Sequence, residues 1–244
     1  MTTAHTQAVF AGSGMAVPSN CVDNHMLARI MDTGDSWIQE RSGIVTRYYV
    51  DPGVASSHLG IEAAQAALED AGTKAREVDY LVCATMTPDQ YFPGAGTLIQ
   101  DGLGLDPVPV LDIRQQCAGF AYGLQLVDAL IGSGAARTVL LVGSDVHSSL
   151  IPWRGRSWEV LFDEAAPPLE AEDFEWNTRF RHLAVLFGDA AGAMVFRASE
   201  ATDDDPEASA ILGAELYADG DKMEILHVPG LGSNRRPFVD ADQI

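Results

Sequence analysis

Basic residues are scarce in this chain of 244: 15 lysines and arginines stand against 35 aspartates and glutamates, a formal net charge of −20. Such a surface repels nucleic acid and anionic lipid, which excludes functions built on either. Cysteines are few and far apart, at 21, 83 and 117. An odd number with no C-x-x-C spacing excludes a disulfide framework and a cysteine zinc site, and points to the reducing cytoplasm. The six histidines show no i, i+4 pairing, so no metal site is expected. No apolar run reaches the roughly 18 residues of a membrane span. The N-terminus, "MTTAHTQAVFAGSG", has no basic stretch followed by an apolar core, so it does not read as a secretory signal. The acid is concentrated in "EVLFDEAAPPLEAEDFEW" (159–176) and "SEATDDDPEA" (199–208), both read as solvated loops.

What is there is a good core. The apolar fraction is 47%, and the length suits one large α/β domain or two small ones. "AVFAGSGMAVP" (8–18) predicts a strand, and Asp23 caps a short helix through Met31. "SSHLGIEAAQAALEDAG" (56–72) predicts an amphipathic helix with Ser56 or Ser57 as cap and Gly72 as stop. Strands are expected at "VDYLVCATM" (78–86), "VPVLDI" (108–113) and "TVLLVGSD" (138–145), with a helix at "GAGTLIQDGLG" (94–104) and another from Cys117 to "IGSGAA" (131–136). "LAVLFGD" (183–189) and "GAMVF" (192–196) read as two strands around a tight turn, and "SAILGAELYAD" (209–219) as one more. Apolar strands alternating with helices predict an α/β fold, a mainly parallel sheet covered by helices on both faces.

Cys117 falls where the strand stops and the helical spacing of Phe120, Leu124, Val127 and Leu130 starts. A thiol at such a turn faces unpaired N–H groups and the positive end of a helix dipole, which favours thiolate. Its alternative is a small buried hydrophobe.

Four stretches, in order, resemble the N-terminal part of the β-ketoacyl-acyl-carrier-protein synthase III family, condensing enzymes of the thiolase-like fold. They are "DTGDSWIQERSGIVTRYY" (32–49), "DQYFPGAGTLIQDGLG" (89–104), "DIRQQCAGFAYGLQLVDALIGSGAARTVLLVGSD" (112–145) and "VLFGDAAGAMVF" (185–196). The resemblance implies Cys117 as the acyl-accepting nucleophile. It implies Trp37 and Arg41 against coenzyme A or its pantetheine arm, with Arg181 aligned to another arginine of that site. It implies Phe92 at a homodimer interface, reaching the partner's acyl pocket, with core packing as the alternative. His147 takes a position the family often fills with an apolar pocket residue, where an imidazole would tune the acyl group chosen; its alternative is a histidine with no chemical role.

The same resemblance divides the chain into residues 1–198, the first half of the family's two-part architecture, and 199–244, the start of the second. Residues 150–181 are longer than the family needs; this insertion caps the pocket, meets a partner or is plain surface. The family's decarboxylating histidine and asparagine lie in its second half, so the complete function is expected to need that half, from the same or a separate chain. No cofactor is expected beyond coenzyme A or carrier-protein thioesters as substrates. The implied activity is decarboxylative condensation after acyl transfer; a non-condensing acyltransferase and a non-catalytic partner subunit are the alternatives.

Overall fold

The computed structural model describes residues 6–200, 210–225, 227 and 232, with the backbone alone at residue 200. In chain order the elements are β1 (Thr6–Ala16), β2 (Asn20–Asp23), α1 (Asn24–Ala28), α2 (Asp35–Ser42), β3 (Thr46–Tyr49), α3 (Ser56–Asp70), β4 (Tyr80–Ala84), α4 (Gly96–Leu103), β5 (Val110–Ile113), α5 (Gly119–Gly132), β6 (Thr138–Val146), α6 (Ser157–Phe162), α7 (Ala171–Arg179), α8 (Arg181–Leu186) and β7 (Asp189–Glu200). Five strands form one sheet in the order β1-β7-β6-β4-β5, and β2 pairs with β3 in a separate ribbon. β4 runs parallel to both its neighbours, whereas β7 runs antiparallel to both β6 and β1. The parallel pairs are those joined by helical crossovers, α4 and α5.

Strand alternation sends side chains to opposite faces. Leu81, Cys83, Leu140, Val142 and Val195 enter one cluster with Leu59, Ala63 and Ala67 of α3 and Ile99 of α4. Val82, Val139, Leu141 and Phe196 enter another with Val127 and Ile131 of α5. Helices therefore cover both faces, as the apolar strands led one to expect. α3 lies close on β1 because Gly14 has no side chain: a Cβ there would collide with the backbone of Ala63 and Ala67.

A third cluster lies off the sheet. Val22, Leu27, Ile30, Ile38 and Tyr49 pack with Val160 and Leu161 of α6 and Ala184 of α8. Residues 159–176 are thus no solvated loop. Two helices, α6 and α7, occupy most of this stretch, and its acids obscured apolar residues that recur at helical spacing. Nor does "LAVLFGD" form a strand. Its first residues belong to α8, and one long strand, β7, replaces the expected hairpin. A short apolar run has no periodicity to separate strand from helix. Ala210 makes one isolated bridge with Val9 and 211–219 form no strand, whereas residue 209 and the acidic stretch 201–208 lie outside the described residues. The N-cap of α3 is Ala55, one residue before the expected serines, while Asp23 caps α1 by accepting from Met26 N.

By internal contacts the chain divides into Met1–Ala214 and Glu215–Ile244. In the second unit Gly220–Ile225 forms a short 3-10 stretch. Among the described residues no helix is long and apolar enough to cross a membrane, and no group of three or more His, Cys, Asp or Glu could hold a metal ion.

Candidate functional site

Between β5 and α5 the chain makes a single 3-10 turn, Gln116–Ala118. Gln116 has φ 45°, a left-handed conformation that a side chain makes costly. Strain of this kind amounts to about 1–3 kcal/mol and persists only where the surroundings hold it. Cys117 follows it and is exposed. No side chain caps α5; the 3-10 turn leads into it instead, with Ala118 N donating to Gln115 O and Gly119 N to Gln116 O. The turn sits against β4, because Gly119 brings the backbone close enough that a Cβ there would lie 3.3 Å from Ala84 Cβ.

Register places a second group at the same end of the sheet. Ala84 pairs with Ile113 on one side and with Gly143 on the other. Cys117 and His147 each lie four residues past that level (113 to 117, 143 to 147), after strands that flank β4. Asp145 binds the neighbouring loop tightly: its Oδ1 accepts from Thr85 Oγ1, Met86 N, Thr87 N and Thr87 Oγ1 at 2.8–3.1 Å. Asp189, 2% exposed, fixes the turn that follows His147. It accepts from Ser148 N and Oγ, and from Val50 N beyond β3. The His147 ring stacks on Phe187.

Phe92 lies on the loop between β4 and α4 and is 81% exposed, so it is no core residue. The carboxylate of Asp112 anchors this loop by accepting from Ala95 N and Gly96 N at 2.8 and 2.9 Å. Burial pushes the Asp112 carboxyl up, against the lowering effect of those two amides. Beside it β5 is an edge of the sheet, with Leu111 exposed.

Trp37, Arg41 and Arg181 come together. The guanidinium carbons of Arg41 and Arg181 lie 4.4 and 4.5 Å from the Trp37 ring centroid. Arg41 also donates to Trp37 O and Arg181 to Asp32 O. Two clefts share this tryptophan and Arg181. One, about 730 Å³, is lined by His25, Asp32, Thr33 and Asp35. The other, about 390 Å³, is lined by Arg41, Thr178, Arg179, His182, Val185 and Leu186. Hydrogen bonds from Asn24 and Gln39 hold the Asp35 carboxyl below its ordinary range.

Cys117, Phe92 and His147 line neither cleft. One segment connects the two groups: Arg181, Val185 and Leu186 face the Trp37 clefts, and Phe187, the next residue, stacks on His147. Arg47, 3% exposed, secures this segment by donating to Val185 O, and Tyr49 OH donates to Ala184 O.

The arrangement matches known proteins. A profile of 3-oxoacyl-[acyl-carrier-protein] synthase III matches residues 111–169, the stretch from β5 through Cys117 and His147 to the linker after α6. The β-ketoacyl-[acyl-carrier-protein] synthase III of Rhodospirillum rubrum is 41% identical over 225 residues, 92% of this chain and 61% of that protein. The chain is similar to part of β-ketoacyl-acyl-carrier-protein synthase III. The Novosphingobium aromaticivorans enzyme of the same name is 38% identical over 92% of this chain and 61% of its own length. Among solved structures, the synthase III of Pseudomonas aeruginosa PAO1 superposes with TM-score 0.75 at 34% identity, covering 93% of this chain and 62% of that one. The Aquifex aeolicus synthase III gives 0.65 at 32% identity, over 80% and 55%. The thiolase-like fold is therefore shared, and the chain spans about three-fifths of the length of the curated relatives it matches.

The sequence reading missed several polar residues around the site. Asp145 and Asp189 stood inside quoted motifs, but no local pattern tells which amides a carboxylate will meet. Thr178, Arg179 and His182 lie on α7 and α8, helices that the acidic composition and an apolar run concealed.

Proposed function

We propose that this chain carries the acyl-accepting part of a decarboxylating condensing enzyme of fatty-acid or polyketide synthesis. The observation that carries the reading is Cys117, exposed on a strained turn at the uncapped start of α5. Its sulfur attacks the carbonyl carbon of an acyl thioester. The new carbon–sulfur bond forms as the old one breaks, and coenzyme A or the carrier thiol leaves with the proton. Backbone N–H groups at the helix start stabilise the oxyanion. Trp37, Arg41 and Arg181 take the nucleotide end of the donor, and His147 with Phe187 borders the acyl group. Phe92 and edge strand β5 meet a second copy of the chain.

In the second step a malonyl-type thioester loses carbon dioxide, and its carbanion displaces Cys117 from the acyl carbon. The resemblance assigns that decarboxylation to a histidine and an asparagine outside the matched segments, supplied by a C-terminal half in the same or another chain. Carbon dioxide release separates this reading from a non-condensing acyltransferase that forms an ester or amide.

Intact-protein mass spectrometry after incubation with acyl-coenzyme A tests the first step. One acyl adduct is expected, lost in Cys117→Ala. An adduct on Cys21 or Cys83 overturns the assignment.

A further inference from the structure

Arg179 is the one arginine of the Trp37 cluster with no bonding partner among the described residues. It ends α7, the second helix of the insertion, and lines the smaller cleft. Arg41 and Arg181 each give a donor to a backbone carbonyl and stack on Trp37. The Arg179 side chain makes no hydrogen bond, ion pair or ring contact there. Glu175, one turn earlier on the same helix, is the neighbour placed to neutralise it, yet the ion pairs among the described residues are Arg156–Glu159 and Lys222–Asp219.

The electrostatics of the two clefts differ. Asp32 and Asp35 line the larger one, whereas no carboxylate lines the smaller, which carries Arg41, Arg179, Arg181 and His182. In a chain of net charge −20, three guanidiniums gathered without an acid mark a local site for an anion. A planar ring stacked by guanidiniums suits a purine face, and a free guanidinium suits a phosphate oxygen pair.

We infer that Arg179 is a specificity-determining residue that binds a phosphate at the nucleotide end of the acyl donor. By this means the insertion makes the chain prefer coenzyme A over the bare pantetheine arm. The inference rests on the proposed acyl transfer, because it assigns one part of that reaction's donor to one residue.

Calorimetric titration of the 244-residue chain with coenzyme A, dephospho-coenzyme A and pantetheine tests it. Arg179→Gln should weaken coenzyme A binding about five- to tenfold, the loss of one charge-assisted contact at an exposed site. It should leave pantetheine binding unchanged, and Arg179→Lys should restore part of the loss. A loss confined to coenzyme A assigns the 3′-phosphate, and a loss shared with dephospho-coenzyme A assigns the diphosphate. Arg156→Gln, at an exposed arginine already paired with Glu159, controls for general charge. An undiminished affinity in Arg179→Gln, an equal loss for pantetheine, or an equal loss in Arg156→Gln overturns the inference while leaving acyl transfer to Cys117 intact. A wild-type chain that binds neither coenzyme A nor pantetheine, and takes no acyl group on Cys117, overturns the functional reading and this inference with it.

Discussion

The ring of His147 lies flat against that of Phe187, with centroids 4.4 Å apart and planes 11° from parallel. The stack fixes the imidazole plane and leaves its nitrogens without a hydrogen bond among the described residues. An unpaired polar edge beside an acyl chain costs about 1–3 kcal/mol against an apolar tail and favours a donor bearing a hydrogen-bonding group. His147→Leu should therefore shift acylation of Cys117 toward plain alkyl chains, by about tenfold between an alkyl and a hydroxylated donor of equal length. Competitive acylation read by mass spectrometry measures the ratio, and an unchanged ratio removes His147 from the acyl site.

The three cysteines should differ in reactivity with iodoacetamide. Cys83 is fully buried on β4, and burial pushes its thiol far up, so it stays protonated over the working pH range. A group raised in this way keeps its neutral form as pH climbs from 7 to 9. Peptide mapping of the native chain should thus find label on Cys21 and Cys117 throughout and on Cys83 only after unfolding. Early labelling of Cys83 would show that the sheet opens locally.

Phe92 and β5 should mediate assembly. A largely exposed aromatic beside a strand edge that is unpaired among the described residues is a surface that self-pairing removes from water. Light scattering at micromolar concentration should give a dimer, and Phe92→Ser should shift the equilibrium toward monomer. A wild-type monomer under those conditions rules the arrangement out.

Arg47 should matter for stability. Its guanidinium donates to Asn24 Oδ1, Val22 O and Val185 O at 2.8, 3.3 and 3.0 Å, and burial lowers its pKa, with no carboxylate in hydrogen-bond contact to offset that. Arg47→Met would leave three acceptors without partners and cost about 2–4 kcal/mol, seen as a lower Tm. Arg47→Lys should not recover it, because an ammonium cannot fork to carbonyls on separate segments. Equal stability of Arg47→Met and wild type would contradict this account.

The sequence made the sheet legible where strands were apolar and helices periodic. β4, β6, α3 and α5 stand within a few residues of their expected places, since burial on both faces leaves a clear mark on composition. Cys117 was legible because a strand end and a helix start fall within a few residues of it. Trp37, Arg41 and Arg181 were named through resemblance. Arg41 lies one helical turn from Trp37, but Arg181 is more than a hundred positions away, and no local pattern encodes that contact. α6, α7 and α8 were hidden for opposite reasons: an excess of acid disguised the first two, and an unbroken apolar run disguised the third.

α8 acts as a spacer. Arg181 at its start belongs to the Trp37 clefts, and Phe187 just past its end touches His147. A helix of six residues is a strut of about 9 Å, and hydrogen bonding fixes its length far better than a loop would. Lengthening it by one residue would move one end by about 1.5 Å and swing it by about a quarter turn. Arginine and phenylalanine would then no longer face their partners together. The linker of residues 163–170, between α6 and α7, holds neither group and can change in length without altering that separation. Under the proposed acyl transfer, the two ends of an extended donor are thus measured against each other by six residues of helix.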